Sequence, residues 1–290
     1  MQFIDTNLRN ARVSTKLFFF FFIVVFCTIV VSPISLLITS NPDNINLVKL
    51  VQLITSVGIF ILPSILIAYL IAEKPLSFLG LATKTNVIDV VLVAVLMMVA
   101  IPFINLLGEI NQQLVLPKAF AGIESWMKAS EQTAAQLTEK LVQVHTFGGL
   151  CFNILLIAIL PAISEEVFFR GVFQGILKDW KGVVVAIWIG AILFSAIHLQ
   201  FYGFLPRMLM GALFGYLYFW SKSLWLPITA HFTNNAIAII FYYLKFNGYK
   251  LPDIDTIGIG NTLWVGIASG LATMGIVYYL FLKFQKRTLN

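Results

Sequence analysis

Ser164-Glu165-Glu166-Val167-Phe168-Phe169-Arg170 places three ionisable residues, two of them adjacent acids, inside a run otherwise as apolar as a membrane helix. Between Leu150 and Leu177 there is almost nothing else polar. A charge at that depth costs at least about 2.5 kcal/mol, so an intramembrane ionisable residue reads first as a functional site. Composition supports the membrane setting. The 290 residues are 59% hydrophobic and 11% charged, against roughly a quarter charged in an average soluble domain. Such a chain cannot cover a soluble surface. Lys and Arg outnumber Asp and Glu, 19 to 13, but they are scattered between apolar runs. That pattern speaks for membrane orientation and excludes a dense nucleic-acid-binding block. Cys27 and Cys151 both lie in apolar runs, so neither a disulfide framework nor a Cys-based metal site follows.

Outward from the acidic stretch, the apolar runs describe an all-α, polytopic membrane protein: a bundle of about eight transmembrane helices. They fall near 17–38, 50–72, 90–107, 150–177, 183–199, 204–220, 224–244 and 263–282. Arg9, Arg12 and Lys16 precede the first run as they would in a signal peptide, but no A-x-A-type cleavage site follows, and the run reads as a retained helix. Three regions result. Residues 1–147 form an N-terminal membrane region of three transmembrane helices plus an interfacial helix. Residues 148–245 form a core of four transmembrane helices, and 246–290 a last transmembrane helix with a basic tail. The interfacial helix covers Glu124 to Leu141, where Trp126, Met127, Ala134, Leu137 and Leu141 share an apolar side. A solvated linker helix fits the same pattern. The Lys and Arg count over the loops favours both termini in the cytoplasm.

The polar residues of the core can be placed by helical geometry. Glu166 and Arg170 are i,i+4 and can pair directly, while Glu165 projects about 100° away. Arg170 can therefore hold Glu166 ionised as structural support, leaving Glu165 to face a cavity as a general base. Pro161, one turn earlier, removes a backbone donor and can kink the helix. His198 ends the next span. Counted from the turn near Asp179–Gly182 at about 1.5 Å per residue, Glu165 and His198 reach similar heights in an antiparallel hairpin. His231 and Asn235 share one face of the seventh span, but His231 counts as shallower and needs tilt or a recessed loop to join them. His145 reads as interfacial, and Arg207, after Pro206, as snorkelling to the membrane surface rather than lining a substrate entrance. Gly171/Gly175 and Gly211/Gly215 have the G-x-x-x-G spacing of close helix contacts.

Glu165-Glu166-x-x-x-Arg170, Phe194-x-x-x-His198 and His231-x-x-x-Asn235, in successive apolar spans, together resemble the CAAX prenyl endopeptidase and bacteriocin-processing (CPBP, or Abi) family over roughly residues 148–245. The resemblance implies an eight-helix intramembrane endopeptidase. In it Glu165 with His198 activates the attacking water, His231 with Asn235 stabilises the oxyanion, and Glu166 and Arg170 support the site. It also implies a glutamate-type protease without metal or other cofactor, zinc on Glu and two His being the alternative. The expected partner is a membrane-tethered protein or peptide in the lipid bilayer, with a prenylated C-terminus among the candidates, and no nucleic acid. The expected setting is a bacterial inner membrane. A proton-coupled transporter using the same Glu and His residues, or a non-proteolytic membrane regulator or bacteriocin-immunity protein, are the rival readings.

Overall fold

The computed structural model describes residues 8–39, 44–114 and 116–289. Its main helices are α1 (Val13–Thr39), α2 (Ile45–Ile71), α3 (Val87–Gln112), α4 (Ala121–Val142) and α5 (Phe147–Lys181). They continue with α6 (Val183–Ala196), α7 (Phe204–Ser221), α8 (Trp225–Phe246) and α9 (Leu263–Leu289). There is no strand among the described residues. Local chemistry sets several boundaries. Asn44, Asn86 and Thr146 each accept a hydrogen bond from a backbone N–H in the first turn of α2, α3 and α5, satisfying a donor the helix leaves open. Gly182, at φ 81°, makes the sharp break between α5 and α6.

The chain is a polytopic, all-α integral membrane protein. Among the described residues, α1, α2, α3, α5 and the last helix are long and apolar enough to cross a membrane. The other three expected spans also form helices. α6 is apolar but shorter. α7 and α8, of 18 and 22 residues, are long enough. Their runs are interrupted by Arg207 in α7 and by His231, Thr233, Asn234 and Asn235 in α8. Large apolar side chains such as Phe18, Phe22 and Phe26 on α1 point outward, as lipid-facing residues must in a bilayer.

Two packing units frame the site. In one, Phe20 of α1 and Ile67 of α2 pack on Phe168, Phe169 and Phe173 of α5; the Phe20 and Phe168 rings are 4.9 Å apart. In the other, Val93, Leu96 and Met97 of α3 pack with Phe214 and Leu217 of α7, Leu226 of α8 and Leu280 of α9. The buried Asp89 at the start of α3 binds Lys283 at 2.7 Å and Arg287 at 2.5 Å near the end of α9, so these two helices run antiparallel.

The acidic helix α5 is not a uniform α-helix. Ile154–Ile159 and Val167–Gln174 are wound as wider π turns, with an α segment, Leu160–Glu166, between them. The first widening ends just before Leu160-Pro161, and a matching one in α2, Ser56–Ile61, ends before Leu62-Pro63. Proline offers no N–H and crowds the carbonyl four residues back; a widened turn absorbs both faults while the helix continues. The disturbance expected at Pro161 is thus a π bulge, a feature that recurs at functional sites.

Candidate active site

Four elements bring the polar residues together: α5 carries Glu165, Glu166 and Arg170, the turn just after α6 carries His198, α7 carries Arg207, and α8 carries His231 and Asn235. Glu165, His198, Arg207, His231, Asn234 and Asn235 all line one cavity of about 590 Å³.

Glu166 is fully buried at the base of the arrangement. Its Oε1 accepts from Arg170 Nη1 at 2.8 Å and from His231 Nδ1 at 2.9 Å. The i,i+4 pair expected from sequence is present, and it also orients a histidine 65 positions away. Arg170, 2% exposed, donates its other arm to the Gly211 carbonyl at 2.9 Å. One turn later Gln174 donates to the Gly215 carbonyl at 3.1 Å. The Gly211/Gly215 spacing thus serves as a landing strip: a Cβ at Gly211 would lie 3.2 Å from Ala191 Cα and 3.3 Å from Arg170 Nη2. Aromatic rings enclose the cation and both imidazoles. The Arg170 guanidinium lies 4.6 Å from the Phe194 ring centre, and the His231 ring stacks on Phe214 at 5.5 Å.

Glu165 and His198 face each other with Oε2 and Nε2 4.0 Å apart. His198 Nδ1 is 2.7 Å from the Phe194 carbonyl. A carbonyl only accepts, so Nδ1 carries a proton and, in the neutral ring, Nε2 presents its lone pair towards Glu165. Asn235 donates weakly from Nδ2 to the Ile157 carbonyl at 3.4 Å and accepts from Asn234 at 3.3 Å. No group of three or more His, Cys, Asp or Glu among the described residues is placed to hold a metal ion.

His231 reaches this depth because its preceding turn is not at the surface. Ser223 and Leu224 are buried, tucked beneath the α2–α3 connection: the Ser223 hydroxyl donates to the Thr83 carbonyl at 2.9 Å and the Leu224 N–H to the Gly80 carbonyl at 3.0 Å. The loop is recessed, which removes the depth mismatch counted from sequence. Arg207 corrects another expectation. It does not snorkel outward but turns into the cavity and donates to Gln200.

Residues 147–237 match the protein-family model described as Type II CAAX prenyl endopeptidase Rce1-like. This segment of the chain is similar to that family. The uncharacterized protein YpbD of Bacillus subtilis (strain 168) is 29% identical over 89 residues, 29% of this chain and 43% of that protein. The membrane-embedded CAAX protease MroQ of Staphylococcus aureus (strain USA300) is 28% identical over 126 residues, 41% of this chain and 50% of that protein. The chain thus spans about half or less of the length of these curated relatives. No solved structure gives a significant match.

Residues outside the sequence motifs complete the site. The buried Asn111, at the end of α3, accepts from Leu205 N–H at 2.7 Å and donates to the Phe201 carbonyl at 2.9 Å, fixing the loop that follows His198. Asn153, fully buried in α5, donates to the Leu141 carbonyl at 2.9 Å and holds the end of α4. For Asn153 the available signal was an amide inside an apolar run; Asn111, between Glu109 and Gln112-Gln113, carried no such signal. The helix α4 itself, expected on the membrane surface or in solvent, covers the cavity: Ala134, Leu137, Thr138 and Leu141 line it, and Trp126 packs on Phe201 at 5.1 Å.

Proposed function

We propose that this protein is an intramembrane glutamic endopeptidase that hydrolyses a peptide bond in a membrane-tethered protein or peptide. The observation that carries the reading is the Glu165–His198 pair, whose two side chains face each other at one cavity inside a segment similar to the Rce1-like family. A gap of 4.0 Å exceeds a direct hydrogen bond and suits one water donating to both groups. Glu165 Oε2 and His198 Nε2 are both acceptors in that state, so the water's own lone pair is left for the scissile carbonyl. As it attacks, its proton passes to the carboxylate–imidazole pair and is later delivered to the leaving amine.

The developing oxyanion is held by His231 and Asn235. Because His231 directs Nδ1–H at Glu166, its Nε2 can donate only when the ring is doubly protonated. The Glu166 carboxylate, anchored by Arg170, is the counter-charge for that imidazolium. Asn235 supplies the second donor from its amide. The reaction needs no metal in this reading. The protein would sit in a bacterial cell membrane with both termini cytoplasmic, as the Lys178, Lys181, Lys222, Lys283 and Arg287 end favours; α4 and the cavity would then lie towards the opposite face.

The test is cleavage of a lipid-tethered fluorogenic peptide by the purified full chain in detergent. Glu165→Ala and His198→Ala should each lose about 10²–10⁴-fold in kcat. Equal activity in all three proteins would overturn the assignment.

A further inference from the structure

We propose that Arg207 and Gln200 form a carboxylate-binding subsite that takes the free C-terminal carboxylate of the peptide being cut. The proposal rests on the endopeptidase reading above and names what determines specificity at that site. Arg207, in the first turn of α7, donates from Nη1 to the Gln200 carbonyl at 3.2 Å and from Nη2 to Gln200 Oε1 at 2.6 Å. A guanidinium carries five N–H donors in a planar fork. Two go to Gln200, and the remaining three hold no hydrogen-bond partner among the described residues. Gln200 thus fixes the orientation of the fork without satisfying it.

The local backbone makes room for this cation. A Cβ on Gly203 would lie 3.2 Å from Arg207 Nη2. Glu131 on the covering helix and Glu165 lie within electrostatic range of the guanidinium. Glu131 Oε2, however, already accepts from the Tyr202 N–H at 3.2 Å, and Glu165 faces His198. Around them the cavity is walled by apolar groups, among them Phe194, Ile197, Met210 and Phe214. A cation with open donors in such a setting selects for an anion, and the arginine fork fits a carboxylate best.

Position sets where that carboxylate belongs. Gln200 is two residues beyond His198, so their backbones are at most about 7 Å apart. That is the reach of a very few extended peptide residues. A substrate carbonyl at Glu165 and His198 can therefore place a chain end at Arg207, while a long downstream segment would leave the fork unpaired.

The experiment compares two lipid-tethered peptides of one sequence, ending in a free carboxylate or in a carboxamide, with the full chain in detergent. For the wild type, kcat/KM should favour the acid by about tenfold or more, chiefly through KM. Arg207→Met should bring the acid down to the level of the amide, and Arg207→Lys should keep part of the preference. Equal cleavage of both peptides by the wild type, or an equal loss on both in Arg207→Met, overturns the subsite while leaving the endopeptidase intact. A preference that appears only when phosphatidylglycerol is added assigns the fork to lipid phosphate and also overturns it. If the wild type cuts neither peptide, the endopeptidase reading fails by itself. Fluorescence anisotropy of both peptides on Glu165→Gln then still decides the subsite, since tighter binding of the acid is expected and equal binding refutes it.

Discussion

Replacing Arg170 with Met tests how the buried charges support the site. The substitution keeps most of the side-chain length but strips Glu166 of its cation at 0% exposure. Removing one partner of a buried pair costs about 3–5 kcal/mol, because the remaining charge is left uncompensated. The Gly211 carbonyl also loses its donor, adding about 1–3 kcal/mol. Against a typical total of about 5–15 kcal/mol, Arg170→Met should leave a barely stable protein. Glu166→Gln should be damaging for the mirror reason, since Arg170 is left buried without its counter-charge while the amide oxygen can still accept from His231 Nδ1. The double variant, Glu166→Gln with Arg170→Met, should be much milder than the sum of the singles, since no lone charge remains buried. Denaturation in mixed detergent micelles supplies the free energies for a double-mutant cycle. A loss below about 1 kcal/mol for Arg170→Met, or strict additivity in the cycle, would show that water reaches Glu166 and that the pair does not hold the site.

Asn235→Ala should lower kcat by about 10²–10³ with a smaller change in KM, as loss of one oxyanion donor does; an unchanged kcat would remove Asn235 from the machinery. Gly211→Ala sets two effects against each other. Helix propensity alone predicts a gain of about 1 kcal/mol, whereas the contacts a Cβ would make with Ala191 and Arg170 predict a loss of about 1–3 kcal/mol. A lowered melting temperature supports the close contact, and a raised one refutes it. Treatment with 1,10-phenanthroline should leave peptide cleavage intact; loss of activity that zinc alone restores would replace the metal-free mechanism with a zinc one.

Much of the site was legible in the sequence because it depends on one helix or one hairpin. Glu166 and Arg170 meet because i and i+4 share a helix face. Glu165 and His198 are brought to a common depth by a constant rise per residue on either side of the Gly182 break. The roles of Asn111 and Asn153 are not legible in sequence, because an amide, whether in the polar end of α3 or in the apolar run of α5, does not say which distant carbonyl or N–H it will satisfy. Arg207 departs from the outward direction expected of it for a related reason. Its direction is decided by Gln200 and by the space beside Gly203, not by its nearness to a helix end.

Sequence by itself determined the membrane setting, the helices and the local acid–arginine pair, since these follow from apolar length and helical periodicity. Tertiary structure decided that Glu166 serves His231, that the Ser223–Leu224 turn is recessed, and that α4 closes over the cavity. Those arrangements arise where segments far apart in the chain compete to bury apolar surface while satisfying every polar group they take with them.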